Sequence, residues 1–339
     1  MKKIALVIDS KDWAFNFIAE QLKKNIKQYE CDIIVGEEYH GNYAKLFEDL
    51  NGYDLIHFMW RGYLSALETR ENWAYIESKG YTDLEAFFRD YFYTKRKSFA
   101  VCDELYLSGD DAWRTEKILY YCKNYFVTSK RLFDIYSNFD KKPKKIIHDG
   151  VDLEKYKPEN LDRFKNKETI TIGWAGNSEF KDSNGDDDLK GVKRIIKPAI
   201  EELQQEGYKI ELKMADSKHN KIPKEEMPNF YNSIDIYVCA SSSEGTPLTV
   251  LESMAMGLPV ISTDVGVVSE AFGKKQHEYI LKNRTKEDLK EKIIELYNDR
   301  NKMKELSEEN LESIKKWDWK EISKEYYKFF RKIIWSRNK

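Results

Sequence analysis

Ser241-Ser242-Ser243-Glu244-Gly245-Thr246-Pro247-Leu248-Thr249-Val250-Leu251-Glu252-Ser253-Met254-Ala255-Met256-Gly257-Leu258-Pro259-Val260-Ile261 is the stretch on which the reading of this chain turns. The apolar run before it, Ile234 to Cys239, reads as a buried strand. A polar loop, a helix and a second strand follow. Thr246 suits the N-cap, and Pro247 suits the first helical position, where a missing N–H has no intrahelical use. Gly257 ends the helix and Pro259 opens the next strand. Glu244 falls on the loop and Glu252 just past the first helical turn. Both can face the mouth where the first N–H groups of the helix point, which is an anion-binding place.

This arrangement suits a nucleotide-sugar. A helix N-terminus can hold a diphosphate without a metal, the helix carboxylate can accept bonds from ribose hydroxyls, and the loop carboxylate can do the same for the sugar. An ordinary strand–loop–helix with two solvated glutamates fits the same spacing, because no physical rule makes a glutamate pair here unique.

A length of 339 residues suggests about two domains, and 41% hydrophobic residues suffice for their cores. The formal charge of −2 is evenly spread: residues 1–150 hold 23 basic against 24 acidic side chains, and the remainder 34 against 35. Neither part is a basic nucleic-acid module. No apolar run approaches the roughly 20 residues of a membrane span, and the apolar start, Ile4 to Ile8, is too short for a signal peptide. Cys31, Cys102, Cys122 and Cys239 form no C-x-x-C pair, so they read as reduced core residues of a cytoplasmic protein.

Strands alternate with helices through residues 3–147, which implies a parallel sheet covered on both faces. Helices are expected near 64–78 and 82–94, and short strands at Lys145–Ile147 and Glu278–Leu281. Ligands of such sheets bind beyond the carboxyl ends of the strands, which puts Asp9–Trp13, His57–Gly62 and Asp103–Tyr106 on one rim. Residues 155–168 are polar and read as an interdomain linker. A second alternating series begins at Thr169, and an amphipathic helix starts near Trp319. The segment Asp182-Ser183-Asn184-Gly185-Asp186-Asp187-Asp188 lacks the spaced ligands and distal Glu of a calcium loop and reads as a solvated loop.

The opening stretch resembles the E-x7-E motif of retaining GT-B glycosyltransferases of family 4. It keeps Glu244, Gly245, Glu252, Met254, Ala255, Gly257 and Pro259 and departs at Thr246 and Pro247. His148-Asp149-Gly150-Val151-Asp152, Ile172-Gly173-Trp174-Ala175-Gly176-Asn177, Lys190-Gly191 and Trp317-Asp318-Trp319 are similar to further landmarks of that family. The resemblance covers most of residues 145–335, and residues 1–145 only by architecture. It implies an α/β GT-B fold of two doubly wound Rossmann-like domains with an interdomain cleft. The acceptor side is then residues 1–155 and the nucleotide-sugar side 169–316, with a helix in 317–339 that crosses back to the first domain.

By the same resemblance the donor site is Gly176, Asn177, Lys190, Met214, Glu244, Gly245, Thr246, Leu248, Thr249 and Glu252. Lys190 is the diphosphate cation, without the Arg that usually precedes it, since Asn177 and Ser178 stand there. Glu244 holds the sugar, Glu252 the ribose, and Met214 lies beside the nucleobase. Asp103 faces the reacting groups as a base or a stabiliser of the anomeric cation, or else caps a helix or makes a domain-junction salt bridge. Glu244, Lys190 and Asp103 are thus the catalytic candidates. On the acceptor side stand Asp9, Trp13, His57, Trp60 and Arg61. A histidine inside an apolar strand is more often a satisfied core residue, so His57 has two readings, whereas Trp60 and Arg61 suit a sugar ring and an anionic group.

The expected activity is transfer of a sugar, with retention and without a metal, from a nucleoside-diphosphate sugar to a glycan or lipid-linked acceptor. No cofactor and no nucleic acid are implied; a cytoplasmic location is, with peripheral membrane contact left open. A GT-B sugar-nucleotide epimerase and a degenerate binding or scaffold protein are the alternatives. The first would convert donor without acceptor, and the second would bind none.

Overall fold

The computed structural model describes residues 1–11, 13–66, 70–107, 109–164, 167–181 and 187–336. Nine strands occur among them: β1 (Lys3–Ile8), β2 (Glu30–Val35), β3 (Leu55–Phe58), β4 (Lys97–Val101), β5 (Tyr125–Val127), β6 (Ile170–Gly176), β7 (Ile210–Asp216), β8 (Ile236–Cys239) and β9 (Val260–Ser262). The chain forms two compact units, Met1–Asp149 with Trp319–Lys339, and Gly150–Asp318. The described residues of the polar stretch 155–168 are part of the second unit rather than a linker. Tyr156 and Phe164 are buried in it, and Arg163 donates to the carbonyls of Tyr231 (3.2 Å) and Met256 (2.6 Å).

In the first unit the parallel order is β2-β1-β3-β4-β5. Residues 4–8 of β1 are wholly buried, as expected of a central strand covered on both faces. One face packs Val7, Phe58, Phe99 and Val127 against Phe47, Phe87 and Phe92. On the other lies the helix Trp319–Ile334, whose buried Ile322, Tyr326, Phe329, Phe330 and Ile333 repeat at the three-and-four spacing of one helical face. Phe126 of β5 meets the rings of Tyr326 and Phe329 at 5.1 and 5.2 Å, and Phe17 of the helix Ala14–Asn25 meets Trp319 at 6.4 Å.

Several expected elements are shorter. Residues 67–69 of the helix expected at 64–78 lie outside the described residues; around them are a 3₁₀ turn, Arg61–Ser65, and a helix, Arg70–Ser78. The helix at 82–94 divides into an α segment, Leu84–Phe88, and a π turn, Arg89–Tyr93. The strands expected at 145–147 and 278–281 are single bridges, Val127 to Ile146 and Ser262 to Ile280. The four cysteines are unpaired.

The second unit has the parallel order β7-β6-β8-β9. β6 pairs with β7 from Ile170 through Gly176 and with β8 at Ile172 and Gly173. The strand order therefore reverses at β6, and beyond their carboxyl ends β6 and β8 leave a crevice, the usual ligand position in an open parallel sheet.

Within the first unit, Lys145 donates to Glu325 of the C-terminal helix, and Lys328 adds a bond of 2.6 Å. These two ammonium groups hold the Glu325 pKa below its ordinary value. A carboxylate with a lowered folded pKa contributes stability that is present above its unfolded value, about 4.3, and is lost as pH falls through the folded one. Lys145→Ala is expected to lower the melting temperature at neutral pH, with the variant and wild-type curves converging on acidification below about pH 4. Parallel curves throughout would show that this pair does not hold the helix.

Candidate functional site

A hollow of about 250 Å³ occupies the crevice of the second unit. Its walls include Gly176 and Asn177 at the end of β6, Lys190, and Glu244, Thr246, Leu248 and Thr249 of the stretch after β8. These seven residues come from three separate parts of the chain. Trp174, Phe180, Tyr237 and Ser241 complete much of the wall.

Each of the three parts is fixed by local chemistry. A Cβ on Gly176 would lie 2.9 Å from the Trp174 ring, so only glycine lets the backbone turn there without moving the indole. Asn177 accepts from the Glu179 N–H at 3.0 Å. Ser178 gives its hydroxyl to Asp216 at 2.5 Å, which pins the turn to the end of β7.

Lys190 is placed by its neighbours. Gly191 has φ +70°, and a Cβ on it would lie 2.4 Å from the Ala240 carbonyl; both the left-handed backbone and the close approach require glycine. Asp188 is buried and accepts from the N–H groups of Lys193 (3.0 Å) and Arg194 (2.8 Å). Residues 182–186 of the expected solvated loop lie outside the described residues, but Asp188 is not solvated: it caps the helical segment that begins at Val192. The Ser242 N–H donates to the Leu189 carbonyl at 2.9 Å. Arg284 donates to the carbonyls of Ala240 (2.8 Å), Asp188 (2.7 Å) and Leu189 (3.1 Å). Asp188 and Arg284 have structural roles that no sequence spacing signals, since Arg284 acts across more than forty residues.

The Lys190 ammonium lies 2.6 Å from Oε1 of Glu244, and both side chains are 19% exposed. The Ser241 hydroxyl donates to the same oxygen at 2.7 Å, and the ring of Phe180 lies 5.5 Å from the ammonium. The helix after the loop starts at Leu248, one residue later than its sequence suggests. Pro247 stands at the cap with ψ 83°, outside the helical region, and its own side chain makes no cap bond. Thr246 is therefore a wall residue rather than an N-cap.

Three donor-side candidates are placed elsewhere. Gly245 packs under Gly266, where an added Cβ would stand 2.1 Å from the Gly245 carbonyl; it does not line the hollow. Met214 lines a different hollow of about 530 Å³, with Phe230 and Asn220, and so does not share a wall with Lys190. Glu252 accepts from the Tyr231 hydroxyl at 2.7 Å, and burial is the first cause that pushes its pKa up, opposed by the Tyr231 and Tyr156 hydroxyls. It too lies off the wall of the Lys190 hollow.

The acceptor-side candidates belong to the first unit. Asp9 follows β1 and accepts from the Ser10 N–H at 2.8 Å, with burial raising its pKa. Trp13 is 62% exposed. The Trp60 ring lies 6.4 Å from Phe15 and 6.2 Å from Tyr106. Two of the expected contacts are corrected. His57 is fully buried, bonded through Nδ1 to Ser98 Oγ at 2.9 Å and packed 5.0 Å from the Phe330 ring. Burial pushes its pKa down to about 3, so it is a neutral core residue of β3. Arg61 is 2% exposed and donates to Asp103 Oδ1 (2.6 Å) and the Leu105 carbonyl (2.9 Å). Burial disfavours its charge, and the Asp103 carboxylate outweighs that and raises its pKa. Arg61 and Asp103 are thus partners of each other rather than an open cation and an open base. Tyr106, which the sequence places on the rim without a role of its own, has a left-handed backbone (φ 66°) and lies 5.3 Å from each of the Arg61 and Arg114 guanidinium groups.

Residues 196–312 match the family model described as glycosyl transferases group 1. The chain is 35% identical over 96 residues to TuaC of Bacillus subtilis, named for teichuronic acid biosynthesis, covering 28% of this chain and 22% of that protein. It is 35% identical over 95 residues to an uncharacterized glycosyltransferase of Methanocaldococcus jannaschii, covering 28% and 27%. These matches span less than a third of the relatives' own length. Among solved structures, HepE of Anabaena in complex with UDP and glucose superposes with a TM-score of 0.69 at 13% identity, over 98% of this chain and 100% of that one. The catalytic domain of starch synthase IV from Arabidopsis thaliana, bound to ADP and acarbose, gives 0.67 at 11% identity, over 98% and 99%. At such identities the likeness is one of fold. The chain has the GT-B fold of two Rossmann-like α/β units, and the segment of it that matches glycosyl transferases group 1 lies within the second.

Proposed function

We propose that the chain is a glycosyltransferase that takes a sugar from a nucleoside-diphosphate donor and passes it, with retention and without a metal, to a hydroxyl of a glycan or lipid-linked acceptor. The observation that carries this reading is the meeting of Lys190, Glu244 and the first residues of the helix Leu248–Ala255 on one hollow at the switch point of the sheet. Relatives named as glycosyltransferases and neighbours solved with UDP or ADP support it.

The ligand-free pair of Lys190 and Glu244 sets the order of events. A diphosphate entering the hollow takes the Lys190 ammonium and the N–H groups of Leu248 and Thr249, which the helix itself does not use. Glu244 is then free to accept from a hydroxyl of the donor sugar. As the glycosidic bond breaks, negative charge grows on the diphosphate, and a preorganised ammonium stabilises that state more than the ground state. The departing diphosphate oxygen takes the proton of the acceptor hydroxyl, a route that does not need Asp103 as a base. Residues 248, 249 and 252 lie at the three-and-four spacing of one helix face. A donor seated by its diphosphate on the first turn extends its ribose along that face to Glu252.

A thermal-shift screen against UDP-, GDP-, ADP- and CDP-sugars identifies the donor, since a ligand of the native state raises the melting temperature by mass action. No shift with any of them would remove the reading. Activity is expected to survive EDTA, and loss restored by Mg²⁺ or Mn²⁺ would overturn the metal-free mechanism. Lys190→Ala is expected to lower kcat by about 10²–10³, the scale of one electrostatic contact in a closed site, and to raise KM less. A normal kcat with a raised KM would move the leaving-group role to another cation.

Glu244→Gln separates the two halves of the exchange. It frees Lys190 while removing the ionised partner of the sugar. The free nucleoside diphosphate is expected to bind more tightly than to wild type, and the intact sugar nucleotide more weakly, by calorimetry. Equal weakening of both would show that Glu244 does not exchange Lys190 for the sugar.

A further inference from the structure

A second hollow, of about 660 Å³, opens on the first unit where β4 begins at Lys97 and β5 at Tyr125. This is the amino end of the parallel sheet, opposite the carboxyl-end rim of Asp9, Trp60 and Asp103. Lys95, Arg96, Lys97, Lys123 and Lys141 line it together with Tyr120, and among the described residues no carboxylate lines it.

The cations are poorly answered by the protein. Arg96 Nε is buried without a hydrogen-bond partner among the described residues, and its Nη2 reaches only the Ser336 carbonyl, at 3.5 Å. Lys97 is 7% exposed, and its ammonium rests on the carbonyls of Phe92 and Lys95. Burial pushes its pKa down to about 8. Lys95 reaches the Asn51 carbonyl at 3.4 Å. Asp54 feels Arg96 but is already held by the Lys2 ammonium and the Lys3 N–H. Like charges gathered in a concave, partly desolvated surface repel one another and concentrate counter-ions there. One wall offers an exposed aromatic face: Tyr120 is 66% exposed, with the Lys141 ammonium 5.4 Å from its ring.

We propose that this hollow binds an anionic saccharide, a short run of sugar residues bearing carboxylate or phosphate groups, with a ring against Tyr120 and its charges among Arg96, Lys123 and Lys141. Aromatic faces suit sugar rings, and guanidinium and ammonium groups suit carboxylate and phosphate oxygens. A concave wall with Ile333 as its aliphatic residue suits a polymer segment rather than the flat surface of a bilayer.

The test is calorimetry of the full chain with a carboxylated oligosaccharide, an oligogalacturonate, at low salt. Binding is expected, and it is expected to weaken as salt shortens the screening length to about 3 Å at 1 M. A neutral dextran oligomer of equal length is expected to bind far less. Lys123→Glu with Lys141→Glu is expected to weaken oligogalacturonate binding at least tenfold, about what is lost with one charge-assisted contact. Lys304→Glu, an exposed change on a helix of the second unit, is expected to leave it unchanged. If the double variant does not fold, Lys123→Ala on its exposed side chain carries the same comparison. The proposal is overturned if oligogalacturonate does not bind, if dextran binds equally, or if the variants bind like wild type. It is also overturned if phosphatidylglycerol vesicles bind through these lysines and the oligosaccharide does not.

Discussion

One guanidinium holds together the two loops that bring Lys190 to Glu244. Arg284 donates to Ala240, where β8 ends, and to Asp188 and Leu189, just before Lys190. A partly buried Arg bound to carbonyls alone brings partial negative charge to its own charge without closing a salt bridge, and its rigid fork fixes the spacing of its acceptors. The same approach of the two loops is what excludes a side chain at Gly191, whose added Cβ would meet the Ala240 carbonyl. Without that approach Lys190 and Glu244 would face solvent separately. With it, they are 2.6 Å apart.

The first unit shows the opposite use of a buried guanidinium. Arg61 is matched to a carboxylate, Asp103, and to the Leu105 carbonyl. A buried charge left without its partner is costly, so these two groups are bound to each other. Beside them on that rim stand aromatic rings: Trp13 is open, and Trp60 and Tyr106 lie ring to ring. The left-handed backbone of Tyr106 stands where Arg61 and Arg114 lie against its ring, and such strain is found where surrounding structure over-determines a conformation.

Much of the fold was legible because parallel strands covered on both faces are near-continuous apolar runs: residues 4–8, 55–58, 170–176 and 236–239 declare themselves. The stretch 241–261 was legible because Gly257 and Pro259 punctuate it. Short edge elements were not, since 145–147 and 278–281 each contribute one bridge, and a run of three or four apolar residues carries no period. The polar stretch 155–168 misled because composition does not show that Arg163 is satisfied by carbonyls far along the chain. His57 and Arg61 looked like rim residues by position along β3, but burial is decided by the helix Trp319–Ile334 and by Asp103, neither of which is local. The convergence of Lys190 with Glu244 could be expected only through resemblance. The Arg284 contacts that enforce it have no sequence signal.

The two helices that follow the switch-point strands differ in a way that gives the hollow a direction. The segment beginning at Val192 has its first donors closed by Asp188, which is buried and bonded to the N–H groups of Lys193 and Arg194. A second anion there would meet a carboxylate. The helix Leu248–Ala255 starts after Pro247, whose side chain makes no cap bond, and its first residues line the hollow. Pro247 removes one donor from that end but also keeps the preceding residue out of helical geometry, so the loop with Glu244 turns back toward Lys190 instead of continuing the helix. On the proposed reading an incoming anion is therefore steered to one helix end and one ammonium. Among the described lining residues the carboxylate in its way is Glu244, whose hold on Lys190 it would replace.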